Sequence, residues 1–432
     1  MKKFVSWFAF GLVSVALPMP SPLPSAAADP PVGKTPANTR SVAKETGGKD
    51  ASGQEVTEQE AKEWAAALER AMNAHAVDRV SRLVDWRAFI EAAMPPASAP
   101  PEGQRLLSDF QIRFQETGGM LRRTMSDLEA PDGFRALRIH RQDGHQRALF
   151  RVLSSKNGVN YHDYVLRRSL GGNVVATDYY VISLGEFMSQ FLRRSVLLPM
   201  LRHLGAASSL GLSPAERDYV AHLEEIGKIT KDLNNEKWQA VLTACKRLPA
   251  SVRASKFVLL IRLQASAASD EAEYLATIDE FRKQYPNDPT LDFISIDGYT
   301  VRKQFDKADE CMQRVDRAVG GDPYLGVLRA NMLVAQRKLE AARDLLQKAV
   351  AEEPTLMSAY YALIDNSLAR HDFDDTLKWL TAIEAQGSQI KDLTKGRLFA
   401  DFVKSPQYQT WVKSHSQNDR PTSSATLKGD GR

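Results

Sequence analysis

The chain has little of what marks several large protein classes. Its 432 residues include only two cysteines, so it is not a disulfide scaffold. Beyond the N-terminal region no stretch approaches the roughly 20 apolar residues of a membrane-spanning helix. The formal net charge is only +4, whereas nucleic-acid binding usually needs a strongly basic surface. We therefore expect no membrane span in the mature chain and no nucleic-acid partner.

Motifs of the common catalytic sites are also missing. The sequence has no HExxH, no GxSxG, no phosphate-binding glycine loop, no CxxC and no dinucleotide fingerprint. We expect no cofactor and no metal, and we assign no catalytic residue. Many active sites assemble from distant residues, so this absence does not by itself exclude an enzyme.

The first 28 residues have the pattern of a secretory signal. Lys2 and Lys3 precede a mostly apolar stretch over residues 4–19, and small residues end at Ala28. We expect cleavage after Ala28 and an exported protein, either periplasmic or secreted. The alternative is an uncleaved anchor, which the short apolar stretch and its following prolines disfavour. Residues 29–56 and 416–432 are rich in small and polar residues and predict a disordered linker and a disordered tail.

Residues 57–205 predict an α+β domain. Thr57 and Glu60 form a capping-box pattern before an apolar helical stripe. Helices are predicted over residues 57–84, 86–93 and 102–128, with a proline-rich loop at 95–103. Four strands are predicted over residues 134–141, 146–154, 159–168 and 173–183, followed by a helix over 185–204. The short turns between the strands predict a four-stranded antiparallel sheet.

The second strand carries apolar residues on both of its faces. Ala148, Phe150 and Val152 share one face, whereas Leu149 and Leu153 lie on the other. We therefore expect both faces of the sheet to be partly covered. The order of elements loosely resembles the cystatin-like and nuclear-transport-factor-2-like cone folds. That resemblance implies a cavity between sheet and helix that serves as a ligand pocket or as a partner surface.

The C-terminal half repeats with a period of 34 residues. The equivalent positions are Phe305, Leu339 and Phe373; Ala308, Ala342 and Thr376; Met312, Leu346 and Leu380; and Asp297, Asn331 and Asp365. Such a period predicts stacked helical hairpins. We expect five helix pairs over residues 210–390, with second helices that begin near residues 236, 271, 305, 339 and 373. Residues 391–415 are expected to cap the last hydrophobic face.

These residues resemble the tetratricopeptide-repeat family. The unit over residues 323–354 matches best, with Ala330, Leu339, Ala342, Ala349 and Pro354 at the positions that the motif requires. The resemblance implies an all-α superhelix whose first helices line a groove for a protein or peptide. Its groove positions here are Phe293, Asp297, Thr300, Val327, Asn331, Val334, Tyr361, Asp365 and Leu368.

The groove positions predict the chemistry of the partner. Asp297, Asn331 and Asp365 form a polar row between apolar neighbours, which suits a neutral or basic peptide segment. The basic residues with which some family members clamp a terminal carboxylate are absent. The alternative is that the polar row is merely hydrated.

The predicted sheet is locally basic. Residues 131–171 contain eight arginines or lysines against three aspartates. Arg138, Arg147, Arg151 and Arg167 are candidate contacts to an anionic component of the cell envelope, such as lipid or glycan. The alternative is a hydrated sheet face with cross-strand ion pairs.

The same strands contain groups that could act as acids and bases. These are His140, His145, His162, Asp163 and Asp178, with several tyrosines beside them. Strand alternation places His162 and Asp163 on opposite faces, which argues against a common site. Cys245 and Cys311 lie two repeats apart, beyond the reach of a disulfide, and we expect both to be buried.

The sequence therefore favours an exported, non-enzymatic adaptor whose helical-repeat groove binds a protein or peptide. The alternative function is a cone-type α+β domain that binds or transforms a small molecule, with the repeats as a recruitment module. A deep pocket at His162 or Asp178 would favour the alternative. A sheet interior filled by residues such as Phe150 would favour the adaptor.

Overall fold

The computed structural model describes residues 55–93, 112, 119–128, 133–154, 158–203, 212–267, 269–286, 288–387, 390 and 393–418. The predicted signal peptide, most of the linker, the proline-rich loop, the first part of the third helix and the tail beyond residue 418 lie outside the described residues. The chain divides into two compact units, one ending at Val315 and the other beginning at Asp316.

The described residues at the start of the α+β part form four helices: α1 (Glu58–Asn73), α2 (Val77–Leu83), α3 (Trp86–Ala93) and α4 (Gly119–Asp127). The capping box at the start of α1 is confirmed, because Thr57 and Glu60 exchange hydrogen bonds between side chain and backbone. The single helix predicted over residues 57–84 is wrong. His75 takes a left-handed conformation with φ 52°, which ends α1 and separates it from α2.

The sheet is an antiparallel meander, as predicted, with one additional strand. Its strands, in spatial order, are β1 (Phe134–Gln142), β2 (His145–Ser154), β3 (Gly158–Arg168), β4 (Val174–Val181) and β5 (Glu186–Phe187). The helix predicted from residue 185 starts later, because Gly185 turns the chain with φ 65° and lets β5 pair with β4. The helical segment then runs as α5 (Met188–Leu192), a π turn (Arg193–Leu197) and α6 (Leu198–His203).

Aromatic rings fill the space between α1, α3 and one face of the sheet. Trp64 of α1 lies 6.2 Å from Phe150 and 5.7 Å from Tyr164, measured between ring centroids. Tyr164 stacks on Tyr179 at 4.8 Å. Phe150 and Tyr164 are completely buried. The interior of the α+β part is thus a packed core, as in other close-packed protein interiors.

The opposite face of the sheet is also buried. Leu149, Leu153, Val165 and Ile182 are each less than one-tenth exposed. The expectation that both faces are covered is confirmed. A sheet with two apolar faces needs a second covering layer, and the helical repeats contact it from this side.

The first unit continues with helices. Three pairs of them lie where the 34-residue pattern predicts helix pairs. They are α7 (Pro214–Ala221), α8 (Leu223–Asn234), α9 (Trp238–Arg247), α10 (Ala250–Arg253), α11 (Lys256–Ala267), α12 (Glu271–Gln284), α13 (Pro289–Val301) and α14 (Phe305–Val319), of which α14 extends into the second unit. The pairs are α8 with α9, α11 with α12 and α13 with α14.

The second unit contains two further pairs and a C-terminal segment. Its helices are α15 (Pro323–Ala335), α16 (Leu339–Glu352), α17 (Met357–Ala369), α18 (Phe373–Ala385) and α19 (Pro406–Asn418). The first helices of the two pairs, α15 and α17, contact each other. In the C-terminal segment Phe402 is completely buried and its ring lies 5.8 Å from that of Phe373. A mixed fold, an α+β part followed by all-α helix pairs, is therefore confirmed.

The turn inside a helix pair has one repeated geometry. Lys303, Arg337 and His371, spaced 34 residues apart, have φ values of 57°, 64° and 55°. In each turn the next residue donates its N–H to a carbonyl five positions back, for example Lys338 to Leu333 at 2.9 Å. This is the Schellman ending of a helix, formed here without glycine. The period therefore appears in the backbone as well as in the side chains.

Both cysteines lie in the helical repeats. Cys245 and Cys311 are free thiols in the core, as expected. Burial raises the pKa of the Cys245 thiol to about 11 and that of Cys311 to about 12. Such thiols are poor nucleophiles at neutral pH.

A glycine in α13 makes a close helix contact, and its replacement should be costly. At Gly298 an added Cβ would lie 2.1 Å from the hydroxyl oxygen of Tyr274, whose ring also lies under Arg302 at 4.2 Å. We expect Gly298→Ala to lower the free energy of unfolding by about 1–3 kcal/mol through overpacking. Urea denaturation followed by circular dichroism measures the change.

The matched control is Gly227→Ala in α8, where an added Cβ meets nothing within 4 Å. There, helix propensity should raise the free energy of unfolding by up to about 1 kcal/mol. Equal effects of the two substitutions would contradict the assigned role of Gly298.

Candidate partner-binding surface

In the first unit, one of the predicted groove positions packs against the sheet. Phe293 on α13 is 1% exposed, and its ring lies 5.9 Å from that of Tyr161 on β3. Asp297 and Thr300 on the same helix are half-buried. The Thr300 hydroxyl donates to the carbonyl of Ile296 at 2.7 Å. Phe293 is therefore covered by the protein's own sheet and is not open to an external partner in this structure.

Polar contacts fix the sheet to the repeats at the same place. The Tyr180 hydroxyl on β4 donates to the Asp288 carboxylate at 3.1 Å. The Lys256 ammonium, at the start of α11, donates both to that carboxylate and to the carbonyl of Gly185. Asp288 also caps α13 by accepting from the N–H of Thr290 at 2.9 Å. We call Tyr161, Tyr180, Gly185, Lys256, Asp288 and Phe293 the sheet–repeat junction.

The burial of α11 reflects this arrangement. Residues 258–263 of α11 are six consecutive buried residues, whereas a surface helix buries only one stripe. The helix packs between α9 and α12, and α13 also contacts it. At its start, Phe257 lies under the guanidinium of Arg194 at 4.0 Å from the ring centroid. The helix is thus covered on all sides, and its one buried charge, Arg262, is paired with Glu273 and Glu280.

In the second unit, the predicted groove positions differ in exposure. Val327 and Leu368 are buried, Asn331 and Val334 are half-buried, and Tyr361 and Asp365 are exposed. Tyr361 is 54% exposed, which is unusual for a large aromatic side chain. It lies one helical turn before Asp365, so both side chains are on the same face of α17. We call Asn331, Val334, Tyr361 and Asp365 the α15–α17 surface.

Asp365 has an environment that combines access with partial dehydration. Its side chain is exposed, yet burial by the surrounding protein raises the pKa of its carboxyl above the ordinary value. The surrounding protein thus disfavours the charged form of the carboxyl, although the side chain remains accessible. In such a setting an approaching cation interacts more strongly than it would on an open surface.

Two of the four arginines predicted to meet an anionic surface are inside the protein. Arg147 is 6% exposed and Arg151 is 0% exposed. Arg147 donates to Asp163 at 3.3 Å and to Asp143 at 2.7 Å. Arg147, Leu149 and Arg151 share the covered face of β2. Counting the charged residues in the sequence therefore overstates how much basic surface is exposed.

The other two arginines, Arg138 and Arg167, are half-buried. Arg167 lies with one guanidinium nitrogen 3.2 Å from the imidazole Nε2 of His145. Its neighbour Arg168 forms an ion pair with Glu60 at 2.7 Å. This part of the sheet is therefore neutralised in part by the protein itself.

The candidate acid–base groups lie on both faces of the sheet. His140 pairs with Asp163 at 2.9 Å on the sheet face that carries Arg147. His162 lies on the opposite face, and burial lowers its pKa to about 3, so the imidazole is neutral at pH 7. Asp178 accepts from the backbone N–H groups of Tyr179 and Ser189 and from the Ser189 hydroxyl. His162 is thus separated from Asp163 and Asp178 by the sheet, whereas the two carboxylates share a face and both interact with Arg147.

Within the described residues, no group of three or more His, Cys, Asp and Glu side chains is placed to hold a metal ion. Across the same part of the chain, the helices are too short or too polar to cross a membrane.

Sequence reasoning did not find the sheet–repeat junction. Its residues come from two strands, a turn and two helices, with 71 positions between Gly185 and Lys256 and 108 between Tyr180 and Asp288. A signal was present at Asp288, which precedes a proline and so has the pattern of a helix cap. The pattern predicts the cap but not the tyrosine that binds to it.

The pKa of Asp178 predicts a change of stability with pH. Burial raises it from 3.8 to about 6, so the folded state binds this proton more tightly than the unfolded chain does. The contribution of Asp178 to the free energy of unfolding is therefore most favourable below pH 4 and is lost as the pH rises through 6. The loss should reach about 3 kcal/mol.

Comparison with Asp178→Asn isolates this effect. Urea denaturation of both proteins at pH 4, 5, 6 and 7 should show the wild type losing stability relative to the variant as pH rises. The opposing contribution of His162 is common to both proteins and cancels in the difference. A difference that does not vary with pH would disprove the shift.

The chain is similar to two solved structures of MamA, a tetratricopeptide-repeat protein. A mutant of MamA shares 10% sequence identity with it at a TM-score of 0.29, and the match covers 39% of this chain and 99% of that chain. The structure described as MamA MSR-1 C2 shares 9% identity at a TM-score of 0.30, covering 39% and 97%. No protein-family model matches the chain, and no curated protein matches its sequence.

Proposed function

We propose that the protein is an exported, non-enzymatic scaffold that binds a protein or peptide partner on the α15–α17 surface. The observation that carries the proposal is the exposure of Tyr361 beside Asp365 on the first helix of a repeat pair. Equivalent positions in the first unit are covered, as at Phe293. The export step rests on the signal pattern of residues 1–28.

An exposed tyrosine suits the centre of a binding surface. It offers a large apolar area with little conformational freedom to lose, and its hydroxyl can bind a partner's backbone. Val334 adds a half-buried apolar contact one repeat earlier, and Asn331 adds an amide. Together these groups fit an extended peptide better than a small polar molecule.

The partially dehydrated Asp365 carboxylate indicates the charge of the partner. A lysine, an arginine or a free amine that reached it would form a charge-assisted hydrogen bond. An acidic segment would be repelled. The partner is therefore a neutral or basic protein segment that carries apolar residues.

The interior of the α+β part favours the scaffold over the small-molecule alternative. Trp64, Phe150 and Tyr164 fill the space in which a cone-type fold would hold a ligand. In this proposal the α+β part supports the first helix pairs.

Affinity capture tests the binding surface. The wild-type chain, Tyr361→Ala and Asp365→Lys are immobilised and incubated with the envelope fraction of the native host. We expect a partner to be retained by the wild type and reduced about tenfold or more by each variant, as for central interface residues. Quantitative mass spectrometry of the eluates gives the ratio.

The matched control is Asp344→Lys on α16, which makes the same change of charge at an exposed position of a second helix. Its capture should equal that of the wild type. A partner retained equally by all four proteins would place the interaction elsewhere. Raising the salt concentration should weaken capture if Asp365 contacts a cation.

A further inference from the structure

The second unit exposes two large apolar side chains among its described residues. Tyr361 on α17 is 54% exposed, and Leu398 is 69% exposed. Leu398 is the middle residue of a 3₁₀ turn (Arg397–Phe399) in the C-terminal segment. That turn contacts α17. The two exposed side chains therefore lie on neighbouring elements.

Packing holds this turn in place. The ring of Phe399 lies 6.3 Å from that of Phe402, which is completely buried and packs against Phe373. Gly396 lets the chain enter the turn, because an added Cβ there would lie 2.9 Å from the Phe399 ring. Leu398 is thus presented to solvent by an anchored turn, and its exposure does not come from a frayed chain end.

The exposed residues of α17 form one stripe. They occupy positions 361, 365 and 369, which lie on the same side of a helix. α15 contacts α17, and α16 and α18 pack against it as well. The 34-residue period places residues 395–403 where a further first helix would stand, and successive first helices of stacked pairs lie side by side. The turn and α15 therefore flank α17 on opposite sides, with the stripe between them.

The spacing of these three elements matches one backbone conformation of a ligand. Packed helices lie about 8–10 Å apart. A chain in the polyproline II conformation has three residues per turn and rises about 3.1 Å per residue, so every third residue lies on the same side, about 9 Å further along. In a β-strand, neighbouring side chains on one side are only about 7 Å apart. A ligand that crosses α15, α17 and the turn thus repeats its contacts at every third residue.

We propose that the partner segment on the α15–α17 surface also contacts Leu398 and adopts the polyproline II conformation, with apolar residues at every third position. Val334, Tyr361 and Leu398 receive its three apolar side chains in turn. A central aromatic contact suits this conformation, which loses little entropy when it docks on aromatic side chains. This inference rests on the proposed function and adds to it the third contact and the spacing of the ligand.

The charges of the surface place the ligand's basic residue. Asp365 lies one helical turn after Tyr361, so a lysine next to the central apolar residue of the ligand reaches its carboxylate. Arg397, beside Leu398, is also exposed and repels a lysine at that end. The basic residue therefore belongs next to the central apolar residue.

Three fluorescein-labelled heptapeptides test the spacing, with binding to the full chain measured by fluorescence anisotropy. The first, Leu-Pro-Pro-Leu-Lys-Pro-Leu, has leucines at every third position and a lysine next to the central one. The second, Leu-Pro-Leu-Pro-Leu-Lys-Pro, has the same composition with leucines at every second position. The third replaces the lysine of the first by glutamate. We expect the first peptide to bind at least about fivefold more tightly than either of the others.

Leu398→Ser tests the third contact, with Leu170→Ser as the matched control. Leu170, in the hairpin between β3 and β4, is 88% exposed. We expect Leu398→Ser to weaken binding of the first peptide about fivefold to tenfold, because an apolar contact is lost, and Leu170→Ser to leave it unchanged. Both leucines are exposed, so both variants should fold as the wild type does.

Equal binding of the first and second peptides would overturn this inference. So would equal binding of the first peptide by the wild type and Leu398→Ser, or no binding of it by the wild type. The proposed function is tested separately, because it requires that Tyr361→Ala lose the captured partner, whatever the effect of Leu398→Ser.

Discussion

Burial of both faces of the sheet is the constraint on which the first unit depends. Leu149 and Phe150 are neighbours in β2 with opposite orientations, and both are buried. Helices α1 and α3 cover the Phe150 face, so the Leu149 face needs a second cover. The starts of α11 and α13 contact the sheet from that side, with Tyr161 against Phe293 and Tyr180 on Asp288. The α+β part and the first helix pairs are thus joined by a requirement of the sheet itself.

This constraint also changes the meaning of a helical-repeat position. Phe293 and Tyr361 are both positions that the family resemblance assigns to a groove, yet one is buried and the other is half exposed. The difference lies in what each unit places around its own helix: in the first unit Phe293 on α13 packs against the sheet, whereas in the second unit the Tyr361 side chain on α17 remains exposed. Exposure that remains after folding is therefore a better guide to a partner surface than the repeat position alone.

Local patterns predicted the elements well, because each depends on neighbours in sequence. The 34-residue period fixed the starts of the second helices at Glu271, Phe305, Leu339 and Phe373, and the turn at Arg337 repeats with it. The strands were predicted from alternation and turn residues. What the sequence did not predict depends on distant pairing: the contact of Tyr180 with Asp288, and the burial of Arg147 and Arg151. A charge count cannot distinguish a covered face from an open one.

The exposed tyrosine and carboxylate of α17 are not explained by folding. Their helix already buries Leu363, Ile364 and Leu368, so stability does not require a large aromatic group at position 361. A polar residue there would avoid exposing apolar area to water. The Asp365 carboxyl is likewise held where dehydration works against its charge. Two neighbouring side chains that each carry a small cost in the free protein fit the proposed partner, which would cover the one and pair with the other.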